Sequence, residues 1–382
     1  MSLDAPTRVL ALMEASSVTG PAKNLIGFCR WAHSPEASAA GLRFSIATFG
    51  REPYDDSDNG FAQAARAAGI DTHVIRERRR FDRAVYPRLA EIVADVAPQI
   101  VQTHNVKSHF LFKSSGLRKG KIWLAFQHGY QDTDLKLHLY NQLDRWTLRS
   151  ADRVISVCEA FTRRLVAYGV RRERIRVLHN SATPPVAAPA GGKLALRHAL
   201  GIEASDAIIL TIGRMSREKG HADLLEALHL LRADVPPWRA VLVGDGPERE
   251  RLVSLAARLG IADRVVFAGF RSDVQPFYSV AAVLALPSHS EGSSNVILEA
   301  MAARVPIAAT AVGGNPEIVT DEETALLSRG RDPEGLARSL TRLLTDPMLV
   351  TRLTAAAHSR AMSRFSPEQY RQTLLEIYSG VR

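Results

Sequence analysis

Two glutamates, Glu291 and Glu299, bracket the stretch EGSSNVILEA, where a polar loop turns into an apolar run. AAVLALPSHS precedes it and VPIAATAVGG follows, and both read as buried strands. The second carboxylate therefore falls inside a helix set between two such strands. An unpaired buried charge is costly, so Glu299 needs a polar partner, and a bound substrate would supply one. Ser293 or Ser294 is expected to cap a helix that begins near Asn295, and Gly292 lets a ligand come close to its start. Such a helix end attracts anions through its free N–H groups and its dipole. Earlier in the chain, TIGRMSREKG ends a strand at Gly213 and offers Arg214 and Lys219 before the next helix. Two cations, a helix amino terminus and no cluster of metal ligands suit a diphosphate held without a metal. Glu299, one turn inside the helix, is then placed to accept hydrogen bonds from vicinal hydroxyls such as those of a ribose. Glu291 would face the group beyond the phosphates. Each piece also has a plainer reading: surface cations in a βα loop, a helix with a satisfied buried acid, a loop glutamate.

The elements that must position these residues alternate β then α. Apolar, β-branched runs at 8–15, 43–49, 99–104, 122–128, 153–158 and 174–179 are separated by amphipathic stretches such as 83–96 and 135–148. The pattern restarts at 207–213, 239–244, 264–269, 282–288, 306–310 and 324–328. Near-continuous apolar strands alternating with helices predict α/β architecture with parallel sheets covered on both faces. Doubly wound sheets of this kind bind ligands at the carboxyl ends of their strands. SATPPVAAPAGG (181–192) has no periodicity and reads as a linker. It separates two Rossmann-like domains, 1–183 and 193–365, expected to face each other across a cleft, the usual place for a small molecule. Residues 366–382 read as a terminal helix with Ser366 as N-cap and Gly380 as stop, expected to cross back to the first domain. Two further corners, GDGPERE with Gly244 and Gly246 and GFRSDV with Arg271, repeat the strand–glycine–charge arrangement. In the first of them Pro247 is expected at the first helical position.

Composition narrows the function. With 382 residues, 46% hydrophobic and 23% charged, the chain is long enough for two globular domains. Cys29 and Cys158 lie in unrelated segments, so no disulfide framework is expected. No apolar run is long enough to span a bilayer, and the acidic amino terminus does not read as a secretory signal, so the cytosol is the expected compartment. The net charge of +9 belongs to the first half: residues 1–190 hold 27 Lys and Arg against 18 Asp and Glu, and the remainder holds 22 of each. Clusters at 76–80, 107–121 and 171–176 solvate the surface, and together they also allow contact with an anionic membrane. No nucleic-acid module accompanies the charge. The first strand lacks a following G-x-G-x-x-G, which argues against a nicotinamide dehydrogenase. Asp132-Thr133-Asp134 has the spelling of a metal site but lies away from the phosphate-binding residues, and reads as a helix start.

The segment PSHSEGSSNVILEAMAARVPIAATAVGGNPEIV (287–319), with GRMSREKG and GDGPERE before it, resembles the signature of retaining GT-B glycosyltransferases of family GT4. The first half resembles that family more loosely, through 16–24, 102–109, QHG at 127–129 and VLHNSA at 177–182. The resemblance implies transfer of a sugar from a nucleoside diphosphate to a hydroxyl of a glycan or lipid-linked acceptor, with the anomeric configuration retained and no metal. It implies that Arg214 and Lys219 bind the diphosphate, that Glu299 holds the ribose and that Glu291 orients the donor sugar. Gly213, Arg271, Gly292, Ser293, Ser294 and Asn295 would complete the donor site. It also implies a role for His128 near the reacting sugar, with Gly20, Pro21, His104 and Asn180 lining the acceptor side, and His109 as a further candidate. Gly313 and Gly314 would form a turn before Glu317. Pro21 stands where the family usually has a second glycine, which removes one amide donor. A sugar-nucleotide epimerase and a non-catalytic sugar-nucleotide-binding protein share these features.

Overall fold

The computed structural model describes residues 6–52, 59–79, 82–129, 135–182 and 191–381. The chain divides into two compact units, residues 1–178 with 371–382, and residues 179–370. Most of the linker 181–192, together with Arg80, Asp132 and Asp134, lies outside the described residues.

The first unit holds seven parallel strands: β1 (Thr7–Leu12), β2 (Leu42–Arg51), β3 (Asp71–Glu77), β4 (Ile100–Thr103), β5 (Ile122–Gln127), β6 (Arg153–Ser156) and β7 (Ile175–Val177). Their order is β3-β2-β1-β4-β5-β6-β7. The second holds β8 (Ala207–Ile212), β9 (Trp238–Val243), β10 (Val265–Gly269), β11 (Val283–Leu286), β12 (Ile307–Thr310) and β13 (Leu326–Ser328), in the order β10-β9-β8-β11-β12-β13. Both orders reverse direction beside their first strand, between β1 and β4 and between β8 and β11. Such reversal points open a crevice at the carboxyl edge.

Alternation along each strand fills both faces. In β8, Ile208 and Leu210 join one core with Val241, Leu284 and Ile307, while Ile209 joins the opposite core with Ala240, Leu242 and Val283. This double burial is why the strands read as continuous apolar runs. β3, DTHVIRE, does not appear among the expected strands. It is an edge strand pairing only with β2, so half of its surface is polar and its end merges with the basic run after it. Pro247 also differs from expectation: the helix after β9 begins at Arg249, and Pro247 belongs to the turn before it. Helices form at Val85–Val96 and Leu135–Leu148. The last helix, Pro367–Ser379, starts where Ser366 Oγ accepts from the Gln369 N–H. Within the first unit, its Tyr378 packs against Phe28 and Phe44.

Candidate functional site

In the second unit the loops after β8 and β11 meet at the reversal point, and glycines make the meeting possible. Gly220 has φ +64, and a Cβ there would sit 2.0 Å from the Pro287 carbonyl oxygen. Any side chain would push the two loops apart. The His289 N–H donates to the Glu218 carbonyl at 2.8 Å, and His289 Nε2 lies 2.8 Å from Asp223 Oδ2. These contacts close the β8 loop over the β11 loop.

The closure brings Lys219 and Glu291 together. Lys219 Nζ is 2.7 Å from Glu291 Oε1, and Ser288 Oγ donates to the same oxygen at 2.6 Å. The Glu291 side chain is 8% exposed and that of Lys219 29%, so the pair is shielded on the acid's side and open on the cation's. A lysine has three donors, and this contact uses one of them. The Glu291 backbone is fixed as well. Gly314 N–H donates to its carbonyl at 3.1 Å, and Gly313, at φ +54, lies so close that a Cβ would be 1.8 Å from that oxygen. The GG turn thus serves to hold Glu291. The sequence reading sets Lys219 with Arg214 on a diphosphate, and the structure adds Glu291 as a partner of Lys219.

Glu299 is buried in the helix Asn295–Ala302. It has a partner inside the protein, which corrects the expectation that a substrate must supply one: the Tyr278 hydroxyl donates to Glu299 Oε2 at 3.0 Å. Burial, and then the Glu299 charge, push the Tyr278 phenol well above its ordinary range, so Tyr278 stays a donor. The two serines divide their work. Ser294 caps the helix by accepting from the Ile297 N–H. Ser293 Oγ accepts from the Asn180 N–H at 2.8 Å, and its carbonyl accepts from Asn180 Nδ2 at 2.6 Å. Asn295 Oδ1 is buried without a hydrogen-bond partner among the described residues. Arg214 and Arg271 are exposed on the loops after β8 and β10, and Gly213 N–H is taken up by the Val243 carbonyl. Gly244 and Gly246 are packing glycines: a Cβ on them would lie 2.0 Å from the Gly213 oxygen and 2.4 Å from that of Met215. Glu317 lies 3.7 Å from His179 Nε2.

In the first unit, His104 follows β4 and His128 follows β5. His104 Nδ1 is 3.1 Å from His128 Nε2, and His104 Nε2 is 2.7 Å from Gln102 Nε2. His109 is buried on the other face, 2.6 Å from Thr103 Oγ1 and 3.8 Å from Asp144. Burial lowers His104 well below the ordinary imidazole range, takes His109 to about 3 and His128 to about 4. The turn after His128 is locked by Gln127, whose Oε1 accepts from Gly129 N–H while its Nε2 donates to Asp144. Gly129 has φ +124, and a Cβ there would lie 2.8 Å from the Phe161 ring.

Gly20 and Pro21 open the helix Gly20–Ala32, whose N-cap Thr19 makes no side-chain cap bond. Thr19 lines a cavity of about 930 Å³ at the carboxyl edge of β1 and β2 together with Glu14, Ser16, Asn59 and Glu77. Lys107 Nζ bridges Glu14 at 3.0 Å and Glu77 at 2.8 Å. The sequence reading gave no role to Gln102 or Lys107, although both lie in the 102–109 segment, and missed Glu77 and Tyr278, which sit at the end of an edge strand and in a short helix with no motif. Among the described residues no group of three or more His, Cys, Asp or Glu is placed to hold a metal, and no helix is long and apolar enough to cross a membrane.

Two parallel-sheet units with their reversal points at the carboxyl edge define a GT-B-type architecture. HepE of Anabaena, solved with UDP-glucose, has the same fold, with a TM-score of 0.84 at 20% identity, over 98% of this chain and 99% of that one. Residues 33–183 match the family Glycosyltransferase Family 4, and residues 193–360 match Glycosyl transferases group 1. The chain belongs to the GT-B glycosyltransferases of this group. It is 32% identical over 233 residues to the lipopolysaccharide core biosynthesis glycosyltransferase LpsE of Rhizobium meliloti, covering 61% of this chain and 65% of that protein. It is 35% identical over 243 residues to a D-inositol 3-phosphate glycosyltransferase of Streptomyces bingchenggensis, covering 60% and 53%. The matches thus span less than two thirds of either relative's length.

Proposed function

We propose that this protein transfers a sugar from a nucleoside diphosphate to a hydroxyl of a glycan or lipid-linked acceptor, with retention at the anomeric carbon and without a metal. The observation that carries the reading is the meeting of Lys219, Ser288 and Glu291 at the reversal point of the second sheet, beside the start of the helix Asn295–Ala302. Lys219 (which uses one donor on Glu291), the neighbouring Arg214 and the helix amino terminus supply positive potential where a leaving diphosphate gains charge. Glu291, held by Lys219 and Ser288, presents a fixed carboxylate to the donor sugar. Glu299, the acceptor of the Tyr278 hydroxyl, offers oxygen lone pairs to ribose hydroxyls. His128 contributes from the first unit as a neutral imidazole. Attack on the same face as the departing phosphate, with the phosphate assisting, accounts for retention. The relatives' names in lipopolysaccharide and inositol phosphate glycosylation support an envelope or polysaccharide acceptor, and the basic first unit supports work at the inner face of the cell membrane.

The test is a thermal-shift panel of nucleotide sugars followed by transfer assays with the donors that bind. Ligand at about 100 times its dissociation constant adds about 2.7 kcal/mol to stability. A panel in which no nucleotide sugar raises the melting midpoint overturns the reading. Transfer that disappears on chelation overturns its metal-free part.

A further inference from the structure

One face of the first sheet carries Gln102 and His104, both buried, with His128 beside them. Strand alternation puts Gln102 and His104 on one face of β4 and its end, and Phe126 and His128 on the same face of β5. His104 stacks on Phe126 at 4.6 Å between ring centroids. Tyr378, fully buried in the terminal helix, reaches this face, and its hydroxyl donates to Gln102 Oε1.

That one bond sets the direction of all that follow. A primary amide has one acceptor oxygen and one donor nitrogen. With Oε1 taken by Tyr378, Gln102 presents Nε2–H to His104 Nε2, 2.7 Å away. A neutral imidazole carries one N–H and one lone pair, so His104 holds its proton on Nδ1 and donates it to His128 Nε2 at 3.1 Å. His128 is then protonated on Nδ1. That nitrogen is buried and has no hydrogen-bond partner among the described residues, so it is a donor waiting for an acceptor. Both rings are neutral at ordinary pH, because burial depresses them; the His128 and His109 charges add to this at His104.

We infer that Tyr378, acting through Gln102 and His104, is a positioning residue that fixes His128 as an Nδ1–H donor to a substrate oxygen rather than as a base. Its ligand half rests on the proposed glycosyl transfer and assigns the acceptor as a sugar hydroxyl. The tautomer half stands without it.

The experiment uses the full-length chain labelled with 15N histidine, read by two-bond 1H–15N correlation between pH 6 and 8. In the parent protein both His104 and His128 should show the Nδ1–H pattern. Y378F keeps the ring contacts with Phe28 and Phe44 and removes only the hydroxyl, so the Gln102 amide is free to turn and an Nε2–H form of His128 should appear. Q102E offers only acceptors and should drive both rings to Nε2–H. In transfer assays Y378F should lower kcat about tenfold, the scale of one hydrogen bond, with KM for the nucleotide sugar within about twofold. An Nε2–H His128 in the parent, or patterns unchanged in both variants, overturns the relay. Shifted tautomers with an unchanged kcat overturn its substrate-facing half. Shifted tautomers in a protein that turns over no nucleotide sugar support the relay and overturn the proposed reaction instead.

Discussion

The second unit concentrates charge at the carboxyl edge of its sheet: Lys219 against Glu291, with Ser288 completing the carboxylate's contacts. In the first unit, the matching edge beside its own reversal point also carries a cation, Lys107 between Glu14 and Glu77, and adds the neutral imidazoles His104 and His128 against an aromatic ring. The strand order around both reversal points is the same, so topology alone does not decide which chemistry appears. On the proposed transfer, the difference follows from what each edge would stabilise. A departing diphosphate would call for fixed positive potential, which a cation with a spare face would supply. An uncharged sugar would be recognised by a neutral donor without the desolvation cost of a buried ion.

Breaking the charged side should have the largest effect. Lys219→Met removes the cation and leaves Glu291 without its ion-pair partner. Sugar transfer should fall by about 10²–10³-fold, the range for removing one preorganised charge-stabilising group, measured as kcat with saturating donor. A loss below tenfold would mean that Arg214 and the helix start carry the diphosphate alone. Gly313→Ala attacks the same carboxylate through its backbone. The left-handed φ of +54 alone costs about 1–3 kcal/mol for a non-glycine residue, and the Cβ contact with the Glu291 oxygen adds to it. The melting midpoint should drop, and a variant as stable as the parent would show that the turn relaxes freely.

Acid sharpens the comparison from the other side. His109 and His128 sit at about 3 and about 4 in the folded protein, below the ordinary value near 6.5, and in the second unit His221 sits at about 4, all through burial first. Groups with depressed folded pKa values bind protons in the unfolded chain first. Their stabilising preference for the neutral form is whole above about pH 6.5 and is lost as pH falls toward 4. Each such histidine costs up to about 1.4 kcal/mol per pH unit across that window. With His33 and His104 included, four described histidines of the first unit are depressed in this way, against His221 in the second, so hydrogen exchange between pH 7.5 and 5 should show the first unit loosening before the second. Equal loosening would remove this distinction between the units. The smallest effect is expected from Asn180→Ala, which loses the Nδ2 hydrogen bond to the Ser293 carbonyl and keeps the backbone one to Ser293 Oγ, about 1 kcal/mol. A modest fall in melting midpoint with kcat retained would place Asn180 as a brace of the helix start, and a large fall in donor affinity would place it in the site.

Much of this was legible because parallel sheets are buried on both faces. Apolar runs such as AIILTIG and AVLALPS could only be interior strands, and β3 escaped because an edge strand needs no such run. Glu291, Lys219 and Gly313 stood out because loops after strands carry charge and glycine for few other reasons. Glu299 showed the limit. Its position one turn inside a helix was readable, but Tyr278, its hydroxyl donor, belongs to a separate short helix, and no spacing links the two.

The sequence by itself determined the alternation of strands and helices, the uneven charge of the two halves, and which loops after strands carry charge and glycine, since each of these is a local pattern of polarity and backbone freedom. Only the tertiary structure decided the partners: that Lys219 neutralises Glu291, that Gly220 and Gly313 are needed for carbonyls to approach, and that Tyr378 is hydrogen-bonded to Gln102. Those pairings depend on distances between residues far apart in the chain, which close packing fixes and periodicity does not encode.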